Sequence, residues 1–501
     1  MPRFEHTKIL DDSELAELRL CRDDLIAERA DGPDAFVATD GPLEQYRRTI
    51  EVLSADVGGQ GQPDTQQVVE RFEYTLPAGI WKPLFRIPVA RALKAGASPT
   101  QPWWAPADRL EARSVRILGL LCTLSLLDGY LGTVITQTMT FSADEFGTSD
   151  RGQGIVLASV RIGVLIAVLL MSLADRFGRR AILRWSAIGG VLLTFVGAFS
   201  PDMIWLGVSQ AGARGFTTAL GLLLIVIACE ELPSRSRAYG LSVIVLSAAL
   251  GAGMAVWVLP VADFGEKGWR VLYLLPALAL PFLRPIWRRL PETRRFRQAQ
   301  ATRQVEHIGR NRLILLGSIG FLLAAFSTPA SQFQNEFLRD ERGFSGSMIT
   351  LFTLTTTTPA GLAIFIGALW SDFRGRRTLA AVGAVGGALF TALAYSSTGS
   401  LLWTFSLLGT MVGALVIPAL GVYGPEMFGT AVRSSANGYI RMVAVVGSAT
   451  GLVLVGWLSD SIGSLGAAFG VMCIAPALVA IIVLAWLPET SGKTLEELNP
   501  R

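Results

Sequence analysis

Apolar runs of about 18 to 27 residues recur from residue 115 to residue 487, separated by short polar connections. Each run is long enough to cross a hydrocarbon core of roughly 30 Å as a helix. Strands of a membrane barrel would be shorter and would alternate apolar with polar positions. The pattern therefore predicts helical spans at 115–139, 153–174, 181–199, 203–228, 238–261 and 270–288. A second set follows at 313–333, 347–370, 378–396, 401–423, 435–459 and 464–487.

The first 112 residues lack such runs. Residues 11–29 are expected to form one amphipathic helix, with Leu15, Leu18, Leu25 and Ile26 on its apolar face. Residues 54–67 are Gly- and Gln-rich and read as linker. From Arg71 to Trp104 aromatics, prolines and cations are mixed (Phe72, Tyr74, Trp81, Lys82, Phe85, Arg86, Trp103, Trp104), a composition suited to the lipid headgroup layer. The segment is thus expected to be partly disordered and partly interfacial. It has no Gly-rich phosphate loop and no nucleophile or metal constellation, so it does not read as an enzyme domain. The polar N-terminus lacks a signal-peptide core, so the first span is expected to direct insertion.

Charge sharpens this division. Residues 1–112 hold 13 basic and 19 acidic side chains; residues 113–501 hold 31 and 21. The basic residues of the second part cluster between apolar runs, which argues against a nucleic-acid surface. Connections after odd-numbered spans carry few cations: Arg151, Lys267, Arg339 and Arg342. Those after even-numbered spans carry Arg176, Arg179 and Arg180, then Arg235 and Arg237, then Arg374, Arg376 and Arg377, then Arg433. The central connection, from Arg288 to Arg312, has eight arginines. Positive charge marks the cytoplasmic side, so both termini are expected there. The four cysteines (Cys21, Cys122, Cys229, Cys473) have no metal-ligand spacing and read as packing residues, so neither a metal nor a cofactor is expected.

The sequence also repeats itself at an offset of 196 or 197 residues. Ala174-Asp175-Arg176-Phe177-Gly178-Arg179-Arg180 returns as Ser371-Asp372-Phe373-Arg374-Gly375-Arg376-Arg377. The pair Glu230 and Arg237 returns as Glu426 and Arg433, and Leu290-Pro291-Glu292-Thr293 as Leu487-Pro488-Glu489-Thr490. Two parallel six-helix halves follow, with a solute path between them near the midplane. The expected fold class is an all-α membrane protein with twelve transmembrane helices in two pseudo-symmetric bundles. Its parts are an N-terminal extension (1–112), the bundles 113–288 and 313–490, a central loop (289–312) and a tail (491–501).

These motifs resemble those of the major facilitator superfamily over about residues 113–495. D-R-F-G-R-R and D-F-R-G-R-R look like its signature after the second and eighth spans; the second copy has the leading glycine, Gly367, where the first has Leu170. P-E-M-F-G-T-A-V-R, the L-P-E-T tags and the tail P-E-T-S-G-K-T-L-E-E-L are similar to the sugar-porter branch. The seventh span reads S-T-P-A-S-Q-F-Q-N rather than the glutamine pair of sugar porters, and the fifth lacks the G-P-x-x-G-G of drug antiporters.

A carboxylate ending the second span suits the positive N-terminus of a neighbouring helix, and Asp175 and Asp372 fit that role. The arginines beside them are expected to pair with Glu230 and Glu426 of the adjacent half. The expected cytoplasmic gate is Asp175, Arg179, Arg180, Glu230, Arg237, Asp372, Arg376, Arg377, Glu426 and Arg433, a role the resemblance also implies.

Charges inside the membrane are costly, about 2.5–3.5 kcal/mol each on insertion scales. Asp128 lies central in the first span, Arg161 in the second and Arg214 in the fourth; Arg441 lies in the cytoplasmic half of the eleventh. Their depths suggest an Asp128–Arg161 pair, either a structural ion pair or a proton-coupling site that includes Arg214. Arg214 also matches an arginine of the fourth span in the resembled family, although Thr217 and Thr218 replace the glycine that usually follows. If all these charges face the cavity it is net positive, which favours an anionic solute. Thr133, Thr136, Gln137, Trp257, Gln332, Gln334 and Asn335, with Arg441, are expected to line the path. The Thr355–Thr358 run before Pro359 is expected to satisfy backbone freed by the proline.

The reading that unites these features is secondary active transport by alternating access, a proton-linked symport of a small organic solute such as an organic anion or a sugar-like metabolite. No catalytic residue is expected, and the absence of a G-x-x-x-x-G-K-[ST] loop argues against an ATP-driven pump. Efflux by proton antiport and a transporter-like sensor are the alternatives. The expected partners are the solute, protons and the bilayer, with no nucleic acid, for a monomer in a bacterial inner membrane.

Overall fold

Alternation, not a helical period, governs the start of the chain. The computed structural model describes residues 3–55, 65–97, 100–148, 156, 159–301, 308–334, 337–344 and 346–499. Five antiparallel strands, β1 (Arg3–Asp11), β2 (Ala27–Ala30), β3 (Ala35–Asp40), β4 (Glu44–Ala55) and β5 (Thr65–Thr75), form one sheet in the order β1-β5-β4-β3-β2. Every second side chain points into the core: Tyr46, Arg48 and Ile50 on β4, and Val68, Glu70, Phe72 and Tyr74 on β5. Register places Phe36, Arg48, Phe72 and Phe4 in one row across four strands.

The expected disorder of the extension is therefore corrected: it is a folded α+β domain, and the all-α description holds for the membrane part alone. Helix α1 covers only Asp12–Leu18, closed by a capping box between Asp11 and Glu14. The expected helix over 11–29 ends there because Leu25 and Ile26 turn away to pack with Tyr46, Phe72 and Tyr74. Phe72 and Tyr74 thus lie in a protein core rather than among headgroups. Of the expected linker 54–67, residues 56–64 lie outside the described ones, and 65–67 begin β5.

Two buried arginines hold the domain together. Arg48 donates to Glu28 Oε1 (3.0 Å) and Oε2 (2.7 Å), to Glu70 Oε1 (3.3 Å) and to the carbonyls of Leu18 (2.8 Å) and Leu20 (3.0 Å). An unpaired buried ion costs several kcal/mol, so this saturation is what permits an arginine in the core. Arg22 donates to the carbonyls of Ala92 (3.0 Å), Leu93 (2.7 Å) and Gly96 (2.7 Å), pinning the C-terminal end of helix α2 (Lys82–Lys94) to the domain.

The membrane spans follow. The first six are α3 (Ala112–Phe146, its spanning part Ala112–Met139), α4 (Val164–Phe177, preceded by a 3₁₀ turn Arg161–Gly163), α5 (Arg179–Gly197), α6 (Met203–Glu231), α7 (Arg237–Val258) and α8 (Trp269–Arg289). The second six are α9 (Arg310–Gln332), α10 (Leu351–Arg374), α11 (Arg377–Tyr395), α12 (Gly399–Glu426), α13 (Arg433–Ile462) and α14 (Leu465–Trp486). Among the described residues eleven are long and apolar enough to cross a membrane; α4 is short because a 3₁₀ turn precedes it and residues 149–155, 157 and 158 lie outside the described ones. Pro359 divides α10, and Thr410 of α12 donates to the freed carbonyl of Thr356 while Thr355 and Thr356 bond back to the preceding turn.

Packing differs at the two ends of the bundle. At the arginine-rich end, Cys229, Leu241 and Val422 form a buried cluster that joins the halves. At the other end each half keeps its own cluster: Tyr130, Met139, Trp269 and Tyr273 in one, Phe326, Phe337, Tyr395 and Phe469 in the other.

Candidate functional site

Each loop signature contains an Asp that closes its span and a Gly that lets the chain turn. Gly178 and Gly375 both have φ +103°, a conformation that L side chains rarely adopt. That turn aims the preceding Asp at a helix of the opposite half. Asp175 accepts from the backbone N–H of Ser434 (3.1 Å) and Ser435 (2.7 Å) and from the Ser435 hydroxyl (2.7 Å), capping α13. Asp372 accepts from the N–H of Ala238 (3.3 Å) and Tyr239 (3.0 Å), capping α7. Both satisfy orphan donors and face the positive end of a helix.

Two four-charge clusters grow from these caps. In the first, Arg179 pairs with Asp175 (3.0 Å) and Glu230 (3.5 Å), and Arg433 pairs with Glu230 (2.5 Å). In the second, Arg376 pairs with Asp372 (3.0 Å) and with Glu426, and Arg237 pairs with Glu426 (3.0 Å). All eight side chains are buried. The expected partner assignment is corrected in one respect: Arg179 and Arg376 meet the glutamate of their own half. The arginines whose ion pairs cross are Arg433 and Arg237, while Arg179 and Arg376 reach the other half through the carbonyls of Thr430 and Ser234 (3.5 Å). The ion pairs Arg433–Glu230 and Arg237–Glu426 and the caps on Ser434, Ser435, Ala238 and Tyr239 thus join the halves at this end.

Arg180 and Arg377 do not join the clusters. Arg180 donates to the carbonyl of Trp287, and Arg377 to those of Val483 (3.3 Å) and Leu484, within their own halves. A guanidinium one residue along a helix points about 100° away from its neighbour. It therefore finds the unpaired carbonyls ending the last span of its half instead. The two tag glutamates, which the motif reading left without a role, complete the corner. Glu292 accepts from the N–H of Arg180 (3.3 Å to Oε1, 3.2 Å to Oε2), and Glu489 from those of Arg376 (3.1 Å to Oε1, 3.0 Å to Oε2) and Arg377 (3.3 Å). Burial pushes the Glu292 carboxyl above its ordinary range despite the N–H groups of Thr293 and Arg180. The recurrence of L-P-E-T was the signal for these caps.

Deeper in the membrane, Asp128 of α3 interacts electrostatically with Arg214 of α6 and Arg441 of α13. The expected Asp128–Arg161 pair is corrected: Arg214 and Arg441 are the cations that act on Asp128, and Arg161 lies near enough to Arg214 to repel it. Arg214 is held by the Gly132 carbonyl (3.0 Å), and Gly221 leaves room for the carboxylate, since a Cβ there would lie 2.9 Å from Asp128 Oδ2. Asp128 and Arg214 are half-buried and Arg441 is exposed although enclosed by helices, so the three border open interior space.

Of the expected path residues, Gln334 lines a cavity of about 530 Å³ in the second half, with Ser331, Phe352, Thr391, Tyr395 and Thr410. Thr133 and Gln137 are half-buried; Thr136, Trp257 and Gln332 are exposed. Asn335 lies outside the described residues.

Two six-helix halves, duplicated charge clusters and a charged interior define a membrane transporter rather than an enzyme. The family model of the Major Facilitator Superfamily matches residues 117–338 and 315–499, and the chain belongs to that superfamily. It is 25% identical over 338 residues to the cis,cis-muconate transport protein of Acinetobacter baylyi, covering 61% of this chain and 78% of that one. It is 28% identical over 214 residues to a gallate transporter of Pseudomonas putida, covering 40% and 45%, less than half of that relative. The solved proton:xylose symporter XylE, bound to 6-bromo-6-deoxy-D-glucose, superposes with a TM-score of 0.67 at 20% identity, over 77% of this chain and 98% of that one.

Proposed function

We propose that this protein is a proton-coupled symporter that accumulates a small organic anion across a bacterial inner membrane, with both termini in the cytoplasm. The observation that carries the reading is the Asp128–Arg214–Arg441 group, drawn from both halves and open to the interior. Three guanidiniums, counting Arg161, outweigh one carboxylate there, and a carboxylate solute supplies the missing negative charge. The muconate and gallate transporters among its relatives carry names of that chemistry, and the xylose symporter carries a proton-coupled one.

In this reading the arginine-rich end is cytoplasmic, and its two charge clusters close the gate while the opposite end is open. Rocking of the halves carries Arg441 relative to Asp128 and Arg214, which changes the charge balance around Asp128. Proton occupancy is thereby tied to access. The solute binds between the interior arginines and the cavity lined by Gln334, Tyr395 and Thr410.

The test is flux in proteoliposomes under an imposed pH gradient, with muconate, gallate and a pentose as probes. Gradient-driven uptake of a carboxylate is expected in the native protein. Asp128→Asn is expected to abolish accumulation while leaving solute counterflow, and Arg441→Gln to weaken carboxylate uptake. Undiminished accumulation by Asp128→Asn excludes proton coupling through that residue; accumulation of the pentose alone excludes the anion. Movement only against the proton gradient identifies an efflux antiporter instead.

A further inference from the structure

Helix α2 lies between the N-terminal sheet and the first membrane span, and its two sides differ. Trp81, Phe85, Val89 and Leu93 pack inward with Tyr74 and Leu76. On the outer side Ile80, Leu84 and Ile87, spaced by four and three residues, are 65%, 64% and 60% exposed. This row is one apolar helix face without a described protein partner. Trp103, on the loop that follows, is 79% exposed.

Charge says what kind of partner the face fits. From Leu76 to Ala107 there is no acidic residue and there are four cations: Lys82, Arg86, Arg91 and Lys94. Residues 1–75, in contrast, hold eight basic and seventeen acidic side chains. The cations flanking the first span are engaged with that acidic body: Arg109 donates to Asp23 (2.6 Å), and Arg116 pairs with Glu44. Lys82, Arg86 and Arg91 form no ion pair among the described residues. An apolar row beside unpaired cations fits an anionic leaflet, which the acidic body itself would avoid.

Depth is fixed independently. The Trp81 indole N–H donates to the Gly119 carbonyl and the Thr123 hydroxyl of α3, each at 3.2 Å. A Cβ on Gly119 would come within 3.0 Å of the Ala78 carbonyl, so the start of α2 sits directly against the span. Gly119 is three residues, about 4.5 Å of rise, beyond Arg116 into the apolar part of α3. That is the boundary between headgroups and acyl chains, where indoles prefer to lie.

We propose that α2 is an interfacial anchor: Ile80, Leu84 and Ile87 insert among the lipids beside the first span, and Lys82, Arg86 and Arg91 bind anionic headgroups. The test places a nitroxide at Leu84→Cys, Ile87→Cys or Leu53→Cys in the full chain, with Cys21 and Cys473 replaced by alanine. Leu53 is 54% exposed on strand β4 of the acidic body and serves as the aqueous reference. The protein is held in nanodiscs of phosphatidylethanolamine with phosphatidylglycerol, or of phosphatidylcholine alone. Labels at 84 and 87 are expected to meet oxygen in preference to a nickel chelate in the anionic discs, and the label at 53 the reverse. Changing Lys82, Arg86 and Arg91 to glutamine is expected to reduce docking in anionic discs by about fivefold per cation. Nickel accessibility at 84 and 87 equal to that at 53 in both lipids overturns the proposal. So does spin–spin broadening that is independent of lipid, which would assign the face to a second copy of the chain.

Discussion

Neighbouring residues of one type do different work here because direction, not identity, decides their partners. Arg179 and Arg376 enter the charge clusters, whereas Arg180 and Arg377 close the carbonyl ends of α8 and α14. Glu145 shows the same dependence on surroundings at the opposite end of the protein. Burial raises its carboxyl, but the hydrogen bonds from Arg270 (2.8 Å) and Trp269 (2.7 Å) prevail and hold it below the ordinary range. A carboxyl lowered by folding contributes stability above its unfolded value, and the contribution is lost as pH falls through the folded value. Glu145→Gln is therefore expected to lower the thermal midpoint at pH 7, with the difference from the native protein vanishing as the medium is acidified below about pH 4. A difference unchanged from pH 7 to pH 3 would assign the effect to packing instead. The motif repeat made the cluster residues legible, but not which arginine crosses, because that depends on how α7 and α13 turn toward the other half. The partner of Asp128 was hidden for the same reason: hydropathy reports depth and is silent on rotation.

At the scale of elements, length was readable and alternation was not. An apolar run long enough to span a bilayer has few other uses, so the spans stood out. In β4 and β5 the alternation is broken by Arg48 and Glu70 at core positions, so the period of two reads as mixed polarity. Only the pairing across strands shows that these charges satisfy one another. Removing one member of such a pair costs about 3–5 kcal/mol. Arg48→Ala is thus expected to make the N-terminal domain cleavable by protease at temperatures where the native domain resists. The signature turns make a sharper case. At φ +103° a side chain adds strain of order 1–3 kcal/mol, and at Gly375 a Cβ would also lie 2.9 Å from Glu489 Oε2. Gly375→Ala is expected to lower the midpoint of thermal unfolding in detergent. Gly456→Ala, in the interior of α13 with nothing within 4 Å, is expected to leave it unchanged or raise it slightly. Equal midpoints for the two variants would show that the turn tolerates a side chain.

For the whole molecule, the closed end depends on charges exchanged between halves. Arg433 reaches Glu230 and Arg237 reaches Glu426, while the far ends have separate cores. Loss of a partner worth about 3 kcal/mol shifts a two-state population by roughly 100-fold. Arg237→Gln with Arg433→Gln is expected to open the arginine-rich end. Met171, buried where Gly438 of α13 meets α4, reports on it. The labelling rate of Met171→Cys by a maleimide should rise in the double variant and fall again when a transported solute draws the protein closed; an unchanged rate would place closure elsewhere.

The crosswise exchange of Arg237 and Arg433 has a consequence for how such a chain is put together. Each half offers an acid to the other and receives a base in return, the self-complementary pattern of an isologous dimer, in which residue i meets j and j meets i. Either half alone carries the full complement of one Asp, one Glu and two Arg. The closure thus has the form of a two-fold homodimer contact inside a single polypeptide. Substitution of either crossing arginine leaves a glutamate of the other half with one guanidinium fewer, so the two copies remain bound to each other's chemistry even as their interiors, with Asp128 in only one of them, differ.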